Sequence, residues 1–167
     1  AAAGGTQRAP RLVGIEKGVE MLLTGRAQQP REALAAGLVD GLAAPAELVA
    51  RAIAVAAAMA GKPAPRRLPQ RLEAGPFDLA APDSAERIAR HFGYSDAVTA
   101  RYPAYLAAIR STLEGADLPI DKGGDNEMER FVDLMLDPVA GNMVGALFIN
   151  RQRAEKILQD VRPDRDA

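Results

Sequence analysis

Five prolines, Pro63, Pro65, Pro69, Pro76 and Pro82, fall within residues 62–82. Each fixes φ and removes a backbone N–H donor, so prolines at this density exclude regular helix and sheet. The stretch reads as an extended connector carrying Arg66 and Arg67. It divides the chain into residues 1–61, the connector 62–82, and residues 83–167. On both sides apolar residues recur at helical spacing between Gly and Pro stops, so the expected fold class is mainly α.

Before the connector, Ile15, Val19, Leu22 and Leu23 fall on one helical face, and Gly25 sits where a left-handed cap would end the helix. Pro30 suits the first turn of the next helix, which turns Ala33 and Leu34 inward and stops at Gly37. Leu38 to Leu42 is too short for a helix and reads as a brief extended segment. Pro45 and Glu47 then open a longer helix, with Leu48, Ala52, Ile53, Ala56 and Met59 on its buried face and Gly61 at its end.

After the connector, Asp83 to Glu86 has the form of a capping box, and Ile88, Ala89 and Phe92 give the helix a face that ends at Gly93. Pro103 starts another helix, with Leu106, Ile109 and Leu113 inward and Gly115 as its stop. Tyr94, Tyr102 and Tyr105 are expected to pack against the connector. Asp121 to Asp125, with Gly123-Gly124 inside, reads as a polar turn whose Asp125 caps a helix bearing Met128, Phe131, Val132 and Met135. Pro138 begins the last helix, striped by Val139, Met143, Leu147 and Phe148, and the charged end from Arg162 is expected to fray.

The 21 basic and 22 acidic residues are interspersed, so no basic stripe points to nucleic acid or an anionic membrane. With no cysteine, disulfides and thiolate metal sites are excluded, and a reducing compartment, the cytoplasm, is the expected location. No apolar run approaches the ~18 residues of a membrane span. His91 is the only histidine and has no second ligand candidate beside it, so no metal site is expected.

Gly4, Gly5 and Thr6 follow three alanines at the start of the sequence. Two residues without a Cβ followed by a hydroxyl suit a tight turn into a helix whose first N–H groups are free for an oxyanion or carbonyl. Downstream come Pro10-Arg11-Leu12-Val13-Gly14, Glu20 to Arg26, Glu32-Ala33 and Gly37-Leu38-Val39-Asp40, in one order and at tight spacing. This succession resembles the C-terminal part of the crotonase fold in the enoyl-CoA hydratase and isomerase family. Further on, Tyr102-Pro103-Ala104, Glu127 to Phe131 and Leu147 to Arg151 resemble the segment joining hydratase and 3-hydroxyacyl-CoA dehydrogenase modules in multifunctional fatty-acid oxidation proteins.

The resemblance implies closing helices of a crotonase-type α/β module (1–61) followed by a helical linker region (83–167). The implied substrate is a CoA thioester, hydrated from trans-2-enoyl-CoA to 3-hydroxyacyl-CoA. The implied partners are the remainder of the multifunctional enzyme and a thiolase subunit. NAD would belong to the dehydrogenase module; no G-x-G-x-x-G occurs here, and no cofactor is expected on this chain. The family's catalytic glutamates and enolate-stabilising N–H groups precede the Gly-Gly-Thr block. The chain, which opens on Ala1 without an initiator Met, is therefore expected to be an inactive piece of a longer product. Gly4, Gly5 and Thr6 match the wall of the acyl pocket and are the candidate substrate-binding residues.

No acid or base is assigned a catalytic role. Glu16, Glu20 and Glu32 are spaced as surface residues, and Asp40 reads as a turn residue. Arg66 and Arg67 could meet CoA phosphates, although solvated linker charge accounts for them more simply. Enoyl-CoA isomerisation in the same fold, and a helical interaction module without catalysis, stay open as readings. Helices of this family that pack on a sheet would be uncovered here, with apolar surface at Leu22, Leu23 and Ile53 and a tendency to associate.

Overall fold

The computed structural model of the protein describes residues 4–62 and 72–161. Arg66, Arg67, three of the connector prolines and the charged end from Arg162 lie outside the described residues. Within them the chain is helical, with no strand. The first part holds α1 (Gly5–Val13), α2 (Ile15–Thr24), α3 (Pro30–Ala35), a 3-10 turn at Pro45–Glu47 and α4 (Leu48–Met59). Then follow α5 (Ser84–His91), α6 (Asp96–Arg101), α7 (Ala104–Glu114) and α8 (Ile120–Leu136). The last elements are α9 (Pro138–Val144), a π-helical turn at Gly145–Ile149 and α10 (Asn150–Val161).

The chain divides into two compact units, Ala1–Met128 and Glu129–Ala167. In the first, α1 and α2 pack on each other and on α7, and α5 packs on α7. Elements from both sides of the connector therefore share one core. Its centre is Ile15, Val19 and Leu23 of α2, Ile88 and Ala89 of α5, and Ile109 of α7. The apolar period of α2 predicts this face, and Gly25 closes the helix in the left-handed conformation at φ 59°. Leu23 is buried rather than exposed, because it lies in the apolar cluster that α2 builds with residues of α5 and α7. Tyr94 and Tyr105 stack with centroids 4.5 Å apart, and the Tyr94 hydroxyl donates to the Leu23 carbonyl at 3.1 Å. The tyrosines thus serve the α2 junction.

Several local expectations are overturned. The α3 helix begins at Pro30 and buries Ala33, but Leu34 faces out. Residues 38–42 form bends and irregular chain, with no ladder to extend. The face of α4 is bare: Leu48, Val49 and Ile53 are 57%, 70% and 64% exposed, because no described element lies over it. Asp83 makes no capping bond. The Ser84 hydroxyl donates instead to the Asp78 and Ala81 carbonyls and fixes the entry to α5. A capping box does form at α3, between Gln29 and Glu32. The short helix α6, capped by Ser95, has too few apolar residues to declare itself. Gly123-Gly124 does not turn the chain, since α8 runs straight through it.

In the second unit, Asp137 caps α9 by accepting from the Val139 N–H at 2.8 Å, with Pro138 in the first turn. The expected single last helix is two helices with a π-helical turn between them. Its apolar stripe is exposed, Leu147 by 56% and Phe148 by 62%.

Candidate functional site

The Gly4–Thr6 turn is built from the backbone outward. Gly4 precedes α1 with φ 86°, a left-handed conformation that a side chain rarely adopts. This turn aims the first N–H groups of α1 at one point. A side-chain carboxylate occupies that point. Glu127 of α8 accepts from the Gly4 N–H at 2.8 Å and from the Thr6 N–H at 3.0 Å. The Thr6 hydroxyl also donates to Glu127. The residue is buried, only 3% exposed. Three donors and the positive end of a helix dipole are the conditions under which a buried carboxylate is tolerated.

A polar layer surrounds this contact. With its proton on Glu127, the Thr6 oxygen is left as an acceptor, so the 2.9 Å bond to Ser111 has the Ser111 hydroxyl as donor. The Gln7 amide donates to the Thr6 hydroxyl oxygen at 3.2 Å and to the Ser111 carbonyl at 2.8 Å. The Thr112 hydroxyl donates to the Thr6 carbonyl at 3.2 Å. One turn on, Arg11 donates to the Gly115 carbonyl at 2.6 Å and the Leu118 carbonyl at 3.1 Å. The Gly115 carbonyl lies at the negative end of α7 and the Leu118 carbonyl in the turn that follows, and the planar guanidinium reaches both. Burial lowers the Arg11 pKa from its ordinary value, though a guanidinium stays protonated across the working range. Gly123 fits against Gln7: a Cβ there would fall 2.4 Å from the amide oxygen.

Sequence reasoning places Gly4, Gly5 and Thr6 at a helix start, and the structure agrees on the location. Thr6 lies inside α1 rather than capping it, and its hydroxyl turns to Glu127 and Ser111. Sequence reasoning misses Glu127 as a site residue, because its partners lie more than a hundred residues upstream and no local period marks them. The one available signal is its place in a helix whose neighbour at position 123 is a glycine. Glu16, Glu20 and Glu32 are on the surface in ion pairs or a cap, and Glu16 lies 3.6 Å from the His91 ring nitrogen. Among the described residues no group of His, Cys, Asp and Glu is placed to hold a metal ion. A second feature is an apolar groove of about 690 Å³ between α4 and the preceding loop, lined by Leu42, Leu48, Val55 and Met59 with Asp40 and Arg51 at its edge.

Residues 1–74 match the model of the enoyl-CoA hydratase/isomerase family. Over 92% of its length the chain is a relative of proteins named fatty acid oxidation complex subunit alpha. The protein of that name from Pseudomonas paraeruginosa is 35% identical over 160 residues, which are 92% of this chain and 21% of that protein. The one from Psychrobacter sp. is 31% identical over 161 residues, 92% and 22% of the two chains. The one from Pseudomonas syringae is 29% identical over 160 residues, 92% and 21% of the two. The chain spans about a fifth of the length of the curated relatives it matches. No solved structure matches it. Among the described residues no single helix is long and apolar enough to cross a membrane.

Proposed function

We propose that this chain supplies the closing helices of an enoyl-CoA hydratase module, with the linker region behind it, in a fatty-acid oxidation protein. The reaction of the whole module is addition of water to trans-2-enoyl-CoA, giving 3-hydroxyacyl-CoA. The observation that carries this reading is the family match over residues 1–74, which includes the Gly-Gly-Thr turn and helices α1 to α4. The role assigned to Gly4, Gly5 and Thr6 is to wall the acyl pocket, with no part in proton transfer. CoA thioester is the substrate class. A thiolase subunit and the rest of the multifunctional enzyme are the proposed partners, the cytoplasm the proposed location. NAD would serve a dehydrogenase module elsewhere. No G-x-G-x-x-G occurs in this sequence.

Hydration needs two carboxyl groups facing one water and two N–H groups facing the thioester oxygen. The buried acid in the polar layer, Glu127, already accepts from three donors, two of them the N–H groups of Gly4 and Thr6. The isolated chain is therefore expected to be inactive. The test is loss of the conjugated enoyl absorbance of crotonyl-CoA with the pure 167-residue chain. No turnover above background is the expected result. Clear turnover would mean that Glu127 or one of the surface acids is a catalyst.

A further inference from the structure

The Glu127 contact joins two parts of the chain with different assignments. The Gly4–Thr6 turn belongs to the stretch that matches the hydratase family, whereas Glu127 lies beyond it, in the linker region. The carboxylate holds both ends of the turn, one oxygen on the Gly4 N–H and the other on the Thr6 N–H. A turn with a left-handed glycine at its head has other conformations open to it, and a bidentate buried anion selects one. Ser111, Gln7 and Thr112 restrain Thr6 from the other side, so the turn is held between α7 and α8.

We propose that Glu127 is a positioning residue for the hydratase site: from the linker, it sets the Gly4–Gly5–Thr6 turn as a wall of the acyl pocket. The inference rests on the hydratase reading above. It adds that the helices after the connector are part of that site's construction rather than a passive tether. A carboxylate is needed because all three groups facing it are donors. Glutamine of the same shape would present an N–H₂ group to one of them and leave a donor unpaired.

The experiment uses the natural polypeptide that carries this sequence, as wild type, Glu127→Gln, Thr6→Val and Thr6→Ser. Amide exchange at Gly4 and Thr6 is measured beside kcat and KM for a short and a long 2-enoyl-CoA. In Glu127→Gln, exchange at these two amides should speed up by about ten-fold or more while Ile109 at the core keeps its protection. KM for the long substrate should rise several-fold against the short one, with kcat changed little, since the turn shapes a pocket and moves no proton. Thr6→Val should repeat the KM change, and Thr6→Ser, which keeps the hydroxyl, should restore it. That pair decides the matter if Glu127→Gln does not fold. An active wild type with unchanged exchange, or an unchanged KM ratio, in the variants overturns the positioning role. A wild type that hydrates no enoyl-CoA overturns the hydratase reading itself, and the role with it.

Discussion

Arg11 is the residue on which the polar layer depends most. The residue is 6% exposed, and its guanidinium binds the Gly115 carbonyl at the end of α7, the Leu118 carbonyl in the turn beyond, and Gln7. Arg11→Met would keep much of the packing and remove the guanidinium donors from both carbonyls, leaving the Gly115 carbonyl with the Leu118 N–H alone. Unfolding in urea should show a loss of about 2–4 kcal/mol, the range for breaking buried charged hydrogen bonds. Arg11→Lys should recover only part of it, because an ammonium is a point donor and cannot span both acceptors. Gly123→Ala tests the other side. Its Cβ would meet the fully buried Gln7 amide, and overpacking of this kind costs about 1–3 kcal/mol despite the gain in helix propensity. A more stable Gly123→Ala protein would mean that Gln7 has room to move. Neither residue announces these duties in the sequence: Arg11 reads as one cation in a Pro-Arg-Leu-Val-Gly block, and Gly123 as half of a turn. Both meanings arise only when α1 meets α7 and α8.

At the scale of elements, the first unit is held by an exchange of charges at helix ends. A carboxylate from α8 faces the positive end of α1, and a guanidinium from α1 faces the negative end of α7. Helices α2, α5 and α7 were legible because their apolar residues repeat at the helical period and face one another. The α8 start was not, since a Gly-Gly pair is locally a turn signal and only its close approach to Gln7 explains it as helix. A second link joins α5 to α7 through Glu86 and Arg110. The Glu86 carboxyl is held below its ordinary value of 4.5, first by a backbone hydrogen bond at the start of α5 and then by Arg110, against an opposing effect of burial. A carboxyl depressed in the folded state stabilises above its unfolded pKa, and the contribution disappears as pH falls through the folded one. The free energy of unfolding from urea titrations should therefore drop between pH 5 and 3 by about 0.5 kcal/mol more in wild type than in Glu86→Gln, the size of a partly exposed pair. Parallel pH profiles would mean that Glu86 does not contribute.

For the whole molecule, the mainly α class was readable from the spacing of apolar residues, and the family from four short blocks near the start. What covers α4 was not readable, because periodicity marks a face and not its partner. The sequence pattern that predicts burial for Ile53 is satisfied in period and left open in space, at 64% exposure. The stripe of the second unit is open in the same way at Leu147 and Phe148. Apolar faces of this extent on a chain that spans a fifth of its relatives' length favour association of the isolated chain. Sedimentation velocity over a range of concentration should show reversible oligomers. Ile53→Lys and Phe148→Lys should each shift the distribution toward monomer, since each places a charge on one of the two faces. Neither should change the unfolding free energy of the monomer by more than about 0.5 kcal/mol, because neither side chain contributes to the core. A wild-type chain that stays monomeric at every concentration would mean that these faces are small enough to remain in water. The bare side of α4 would then be an ordinary surface rather than a seat waiting for another element.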